Sequence, residues 1–77
     1  MQLNIKYFGL LAEITKRNEE ILVFSKTTVS DLLEYLFDKY PELKDKDFQV
    51  AQNNNIVQKS AKLLETEIAL LPPFSGG

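Results

Sequence analysis

The chain begins with Leu3-Asn4-Ile5-Lys6-Tyr7-Phe8, an apolar–polar alternation of period two that predicts a half-buried strand. Gly9 breaks the alternation, and Leu10 to Thr15 fits a helical turn. Lys16-Arg17-Asn18-Glu19-Glu20 reads as a solvated connection. Ile21-Leu22-Val23-Phe24, rich in β-branched and aromatic residues, predicts a second strand. The two strands can pair as an antiparallel hairpin with a long loop. Then the period changes. Val29, Leu32, Leu33, Leu36, Phe37 and Tyr40 recur at i, i+3, i+4, i+7, i+8 and i+11, one face of an amphipathic helix whose ordinary role is core packing. Thr28 with Asp31 three residues later fits a capping box, Asp31 and Glu34 suit the positive helix end, and Pro41 ends the helix at Tyr40.

Lys44-Asp45-Lys46-Asp47 reads as a mixed-charge surface loop. Phe48 to Gln52 predicts a third strand, Asn53-Asn54-Asn55 a turn, and Ile56-Val57 a short fourth strand, since Asn tolerates left-handed backbone. Glu67-Ile68-Ala69-Leu70-Leu71 is almost continuously apolar, as a central strand covered on both faces would be. The order is ββαβββ, with one helix to cover one sheet face. The helix lies between strands two and three, so the last strand can return beside the first. These elements predict an α+β fold of the β-grasp (ubiquitin-like) type, a mixed sheet in which the first and last strands pair parallel at the centre.

Composition narrows the chemistry. Seventy-seven residues make one domain, with a core too small to enclose a substrate-sized cavity. A hydrophobic content of 44% and a charged content of 26% suit a soluble globular chain. Apolar runs such as Ile68 to Leu71 are far too short to span a bilayer and no signal peptide is recognisable, so a cytoplasmic location and no membrane partner are expected. There is no cysteine and no histidine. Their absence removes Cys/His metal sites, Ser-His-Asp and Cys-His nucleophile systems, and the usual base near neutral pH, so no resident metal or cofactor is expected. The net charge is −2 and no basic cluster exceeds Lys16-Arg17, so nucleic acid is not an expected partner.

The remaining chemistry lies at the end of the sequence. Pro72-Pro73 cannot donate to a sheet ladder; they stop the last strand and hold an extended exit from the domain. Phe74-Ser75-Gly76-Gly77 follows, so residues 1–73 read as the folded domain and residues 74–77 as a flexible reactive tail. Gly-Gly has no Cβ and can thread a narrow channel in another protein. The α-carboxylate of Gly77, with a pKa of roughly 3.5, is ionised at neutral pH. It can attack the α-phosphate of ATP to form an acyl-adenylate, which a sulfur or nitrogen nucleophile then opens. The plain alternative is a frayed end or a cloning remnant. A random chain ends in Gly-Gly about once in 200, and the prolines just upstream argue further for a purpose-built tail.

Ile68-Ala69-Leu70-Leu71-Pro72-Pro73-Phe74-Ser75-Gly76-Gly77 resembles the "VAxxPPVSGG" ending of the MoaD family, the small sulfur-carrier subunits of molybdopterin synthase. Leu3 to Phe8 with Leu11-Ala12-Glu13 resembles that family's first strand and "FAxLRE" turn. Thr28-Val29 with Asp31-Leu32 matches its helix entry, and Gln52-Asn53 its "VN". The likeness covers essentially the whole chain, and its specific part is the Pro-Pro-x-x-Gly-Gly ending. Two departures stand out. Leu64-Glu65-Thr66-Glu67 replaces the family's Asp-Gly-Asp-Glu turn, and Arg17-Asn18 stands where its first loop carries glycine.

The resemblance implies a protein that is not an enzyme by itself but the sulfur-donating subunit of a heterotetrameric synthase. An E1-like, MoeB-type enzyme would use ATP to adenylate Gly77, and a sulfur source would convert it to a thiocarboxylate. A MoaE-type large subunit would then receive the tail. In its active site the sulfur would attack cyclic pyranopterin monophosphate, in two turnovers per molybdopterin, with acid–base groups supplied by the large subunit.

A carrier also needs a partner-facing apolar patch. If Leu3, Ile5 and Tyr7 face the helix, Lys6 and Phe8 face outward. Alternation from a solvated Glu67 sets Ala69 and Leu71 on that same outer face and Ile68 and Leu70 in the core. Phe8 and Leu71, with Ile56 at the edge, are the predicted partner-binding patch, a position the family match also indicates; their plain alternative is ordinary exposed hydrophobes. Three other functions fit the same features: a ThiS-like carrier for thiazole synthesis, which is typically shorter and lacks Pro-Pro; a ubiquitin-like modifier of lysines; and an interaction module with an inert tail.

Overall fold

The alternation of the first strand sorts its side chains as the sequence predicts: Leu3, Ile5 and Tyr7 are buried while Phe8 is exposed. The computed structural model describes residues 1–64 and 67–73. Its elements are β1 (Gln2–Tyr7), α1 (Leu10–Thr15), β2 (Glu19–Val23), α2 (Val29–Lys39), a 3-10 helix (Pro41–Asp45), β3 (Gln49–Gln52), β4 (Asn55–Val57) and β5 (Glu67–Leu71). The sheet order is β2-β1-β5-β3-β4. β1 pairs antiparallel with β2 and parallel with β5, with Ile5 opposite Ile68 and Tyr7 opposite Leu70. This is the predicted mixed sheet of a β-grasp fold. No helix among the described residues is long and apolar enough to cross a membrane.

One face of the sheet carries the core. Leu3, Ile5, Val50, Ile68 and Leu70 form a buried cluster with Val29, Leu32, Leu33 and Leu36 of α2. Each such aliphatic side chain contributes about 1.5–3 kcal/mol by leaving water. The helix begins at the predicted capping box: the Asp31 N–H donates to Thr28 Oγ1 at 3.1 Å, and the Thr28 N–H to Asp31 Oδ2 at 3.4 Å. Two more donors of its first turn, on Val29 and Ser30, reach the carbonyls of Ala61 and Lys59 at 3.0 and 2.9 Å. That satisfies N–H groups a helix end otherwise leaves orphaned.

Three local expectations need correction. β2 starts at Glu19, inside the stretch read as a solvated connection, and Glu20 is buried there. The predicted 44–47 loop begins within the 3-10 helix; its charged residues are exposed, as expected, but the helix turns Leu43 fully into the core. Asn55 belongs to β4, so the hairpin turn is only Asn53-Asn54, with φ of 51° and 65°. A two-residue hairpin loop with both φ positive matches the twist of the flanking strands, and Asn is among the residues that adopt it readily.

Candidate functional site

The end of β5 is seated on the end of β1. Gly9 follows β1 with φ 58° and ψ −134°, a conformation that side chains disfavour. A Cβ built on Gly9 would stand 2.9 Å from Cγ of Pro72, so the missing side chain is what admits the proline. The Phe8 N–H donates to the Leu70 carbonyl at 3.2 Å and carries the β1–β5 ladder to the same point. Pro72 and Pro73 are exposed beyond it. The other predicted tail residues, Phe74, Ser75, Gly76 and Gly77, lie outside the described residues, as does the Glu65-Thr66 turn.

Beside this exit the structure brings Phe8, Ile56 and Leu71 around one shallow hollow of about 260 Å³ on the outer face of the sheet. Phe8 is 44% exposed, Ile56 57% exposed, and Leu71 half-buried. Register explains the shape. Ala51 stands opposite Ala69 across the β3–β5 pair and opposite Ile56 across the hairpin. Two adjacent alanines make a low floor, and the larger side chains stand around it. Glu67 borders the hollow and pairs with Lys6 at 3.0 Å, an exposed ion pair that marks its polar limit. A larger open groove, about 700 Å³, runs between α2 and the β3–β4 hairpin and shares only Ile56 with this hollow.

The charged group that the sequence did not reveal is Glu20. Its carboxylate receives the hydroxyls of Tyr7 and Tyr40 at 2.7 and 2.8 Å and the Lys39 ammonium, with Arg17 at 3.6 Å. Burial by itself pushes this carboxyl up, but the hydrogen bonds from Lys39, Tyr7 and Tyr40 outweigh it and hold the group below its ordinary 4.5. The Lys39 amine is raised in turn, chiefly by its hydrogen bond to Glu20. The tyrosine hydroxyls are raised by burial first and then by the same carboxylate. With donors from β1 and from the end of α2 converging on it, Glu20 clamps β2 to the C-terminal turn of α2. The available signal was its phase: Glu20, Leu22 and Phe24 alternate inward together. Among the described residues no three acidic side chains gather closely enough to hold a metal ion.

A molybdopterin synthase sulfur carrier subunit from Mycobacterium tuberculosis is 34% identical, covering 100% of this chain and 99% of its own length. The solution structure of small archaeal modifier protein 1 from Methanosarcina acetivorans superposes with a TM-score of 0.79 at 29% identity, covering 99% of this chain and 96% of that one. A protein–protein complex of subunits 1 and 2 of the molybdopterin-converting factor from Helicobacter pylori contains a chain with the same fold, at TM-score 0.68 and 22% identity over 100% of both chains. The ThiS family model matches residues 5–77, through the hollow and the whole proline-glycine ending. The chain belongs to the ThiS family and is a homologue of molybdopterin synthase sulfur carrier subunits.

Proposed function

We propose that this chain is the sulfur-carrier subunit of a molybdopterin synthase and that the carboxylate of Gly77 is its reacting group. The observation that carries the reading is the full-length likeness to a sulfur carrier subunit. The geometry at the end of β5 agrees with it: a strand at the centre of the sheet delivers Pro72-Pro73 next to an apolar hollow. A tail leaving from a rigid central strand can be positioned by docking the domain, so the precision comes from the fold and the reach from the glycines.

A MoeB-type enzyme binds the carrier and ATP; a Gly77 carboxylate oxygen attacks the α-phosphorus and pyrophosphate leaves. Hydrosulfide, delivered at the sulfide oxidation level by a sulfur donor, then attacks the acyl carbon and AMP leaves, giving the thiocarboxylate. The carrier moves to a MoaE-type large subunit, which holds cyclic pyranopterin monophosphate and supplies the acid–base groups. There the thiocarboxylate sulfur attacks a side-chain carbon of the pterin and displaces an oxygen substituent; water then cleaves the acyl–sulfur bond, leaving the sulfur on the pterin and returning Gly77 as a carboxylate. ATP is used by the activating enzyme and is not bound by the carrier. Phe8, Ile56 and Leu71 form the shared docking surface for both partners, with Pro72, Pro73, Phe74, Ser75 and Gly76 as the tail that enters each active site. The two-subunit complex from Helicobacter pylori offers a precedent for a chain of this fold paired with a second subunit.

A second reading, a ubiquitin-like modifier joined to lysines, is favoured by the likeness to the archaeal modifier protein. Both readings share the adenylate and part at the nucleophile that opens it. Co-expression with a MoeB-type enzyme and a sulfur source, followed by intact-mass analysis, separates them. A gain corresponding to one oxygen-to-sulfur exchange at the C-terminus is expected. Lysine conjugates without that exchange would favour the modifier, and an unmodified chain would defeat both.

A further inference from the structure

We infer that the free edge of β2 is a second docking site, which takes an extended segment of a partner protein with alternating apolar and basic side chains. β2 is the last strand on its side of the sheet. Its two outward side chains are among the most exposed large hydrophobics of the domain: Ile21 is 66% exposed and Val23 81%.

The hydrogen-bond phase leaves the backbone of the same residues open. Met1 and Phe24 exchange both bonds, at 2.7 and 2.8 Å, and the Tyr7 N–H donates to the Asn18 carbonyl at 2.9 Å. In an antiparallel pair such bonded positions alternate, so Asn18, Glu20, Leu22 and Phe24 turn their polar groups toward β1. Glu19, Ile21 and Val23 therefore turn theirs toward the free edge. Edge strands are usually protected by lysine, proline or a bulge, and Ile21-Leu22-Val23 carries none of these. A strand that adds here gains backbone bonds and apolar cover at the same positions.

Charge decides the occupant. On the helix side of β2, Asp31, Glu34, Tyr35 and Asp38 share one stripe of α2, spaced i, i+3, i+4 and i+7. The Phe24 ring meets the Tyr35 ring edge-on at 5.8 Å, which places this stripe beside the strand. The hollow between them, about 220 Å³, has three carboxylates and one cation, Lys26, among its lining residues. In an added strand, successive side chains point to opposite faces. One set would cover Ile21 and Val23, and the other would approach the acidic stripe. A second copy of this chain suits the site poorly. Two-fold antiparallel pairing of β2 would put both α2 helices on one face of the joined sheet, acid facing acid.

The site lies apart from the Phe8–Leu71 hollow. Ile21 and Val23 sit opposite Asn4 and Gln2, whereas Lys6 and its ion pair with Glu67 separate them from Phe8. A partner on β2 could therefore stay bound while the tail is in use elsewhere. The inference does not depend on the sulfur-carrier reading.

The test is a titration of the isotope-labelled full chain with a blocked hexapeptide of alternating lysine and valine, followed by amide NMR shifts. Shifts are expected in Glu19–Phe24 and along Asp31–Asp38, with Ala69 and Leu71 unmoved. A glutamate–valine hexapeptide should produce none. The double variant Ile21→Thr/Val23→Thr keeps β-propensity and removes apolar cover; it should weaken the lysine–valine peptide about tenfold, as the loss of two cross-strand apolar pairs predicts. Glu34→Lys/Asp38→Lys should weaken it as well, through an independent part of the site. Shifts that map to another surface, or equal binding of both peptides, would overturn the inference. So would peptide-free, concentration-dependent dimerisation through β2 in sedimentation runs, which would make a second copy the occupant.

Discussion

Gly9 and Pro72 are fitted to each other, since a Cβ on Gly9 would come within 2.9 Å of the proline ring. Residues about 60 positions apart thus share the point at which the chain leaves the sheet, a separation set by the parallel β1–β5 pairing. Gly9→Ala meets two penalties. The backbone at φ 58°, ψ −134° is strained for any side chain, and the proline must move. We expect a loss of about 1–3 kcal/mol in chemical denaturation, in the range for residues held in sparsely populated conformations. Sulfur loading should slow by more than stability explains, because the exit of the tail is displaced. Adding Pro72→Ala should recover the steric part and leave the backbone strain. Wild-type stability in Gly9→Ala would contradict the packing described.

The outer hollow and the core make opposite predictions for similar substitutions. Phe8→Ala and Leu71→Ala should keep the melting temperature near that of the parent and weaken binding to the large subunit by about 1–3 kcal/mol, as hot-spot residues do. Leu36 is fully buried, so Leu36→Ala should instead cost about 2–5 kcal/mol of folding stability through a cavity. Calorimetric titration beside thermal melts separates the two effects. Leu71→Ala unfolding the domain, with unchanged affinity in the folded fraction, would reverse the face assignment.

The tail is tested by length. Deleting Gly77 leaves a carboxylate on Gly76 that is chemically similar but about 3.5 Å short of its former reach. Misplacement by about 1 Å can cost a hundredfold in rate. Deletion should abolish adenylation or sulfur transfer and leave the melt unchanged. One residue added after Gly77 should be as harmful, and Gly76→Val should fail because its branched side chain obstructs the channel. A Gly77-deleted chain that still supports molybdopterin formation would sink the proposed function.

Glu20 predicts the acid limb of stability. Its folded pKa lies below the ordinary 4.5, so the unfolded chain takes up this proton first as the pH falls. The contribution is complete above about pH 4.5 and is lost as the pH falls through the lower folded value. Glu20→Gln keeps an acceptor for the tyrosines but removes the negative charge that pairs with the Lys39 ammonium. It should cost about 1.5–3 kcal/mol at neutral pH, the range for hydrogen bonds to charged groups. It should also flatten the decline of stability below pH 4.5. Urea midpoints across pH measure both, and an unchanged acid limb would remove Glu20 as its source.

Where a local pattern was enough, the sequence alone determined the structure. Period two in Leu3–Phe8 and Glu67–Leu71 set which residues face α2 and which face out, because alternate side chains on a strand must point oppositely. Period 3.6, Thr28, Asp31 and Pro41 set the bounds of the helix, since capping and the missing proline donor act within one turn. Phe8 and Leu71 were legible as outward residues by the same strand alternation, whereas Ile56 was placed at the edge of their patch with the help of the family resemblance. Only the tertiary structure decided what depends on neighbours distant in sequence. Glu20 reads as a solvated charge until Tyr7, Lys39 and Tyr40 converge on it from β1 and the end of α2. Leu43, just ahead of the mixed-charge 44–47 stretch, belongs to no sequence pattern until the 3-10 helix turns it into the core. Gly9 reads as a strand breaker until Pro72 packs against it. In each case the decisive partner is supplied by register between strands or by packing across layers, which no window along the chain contains.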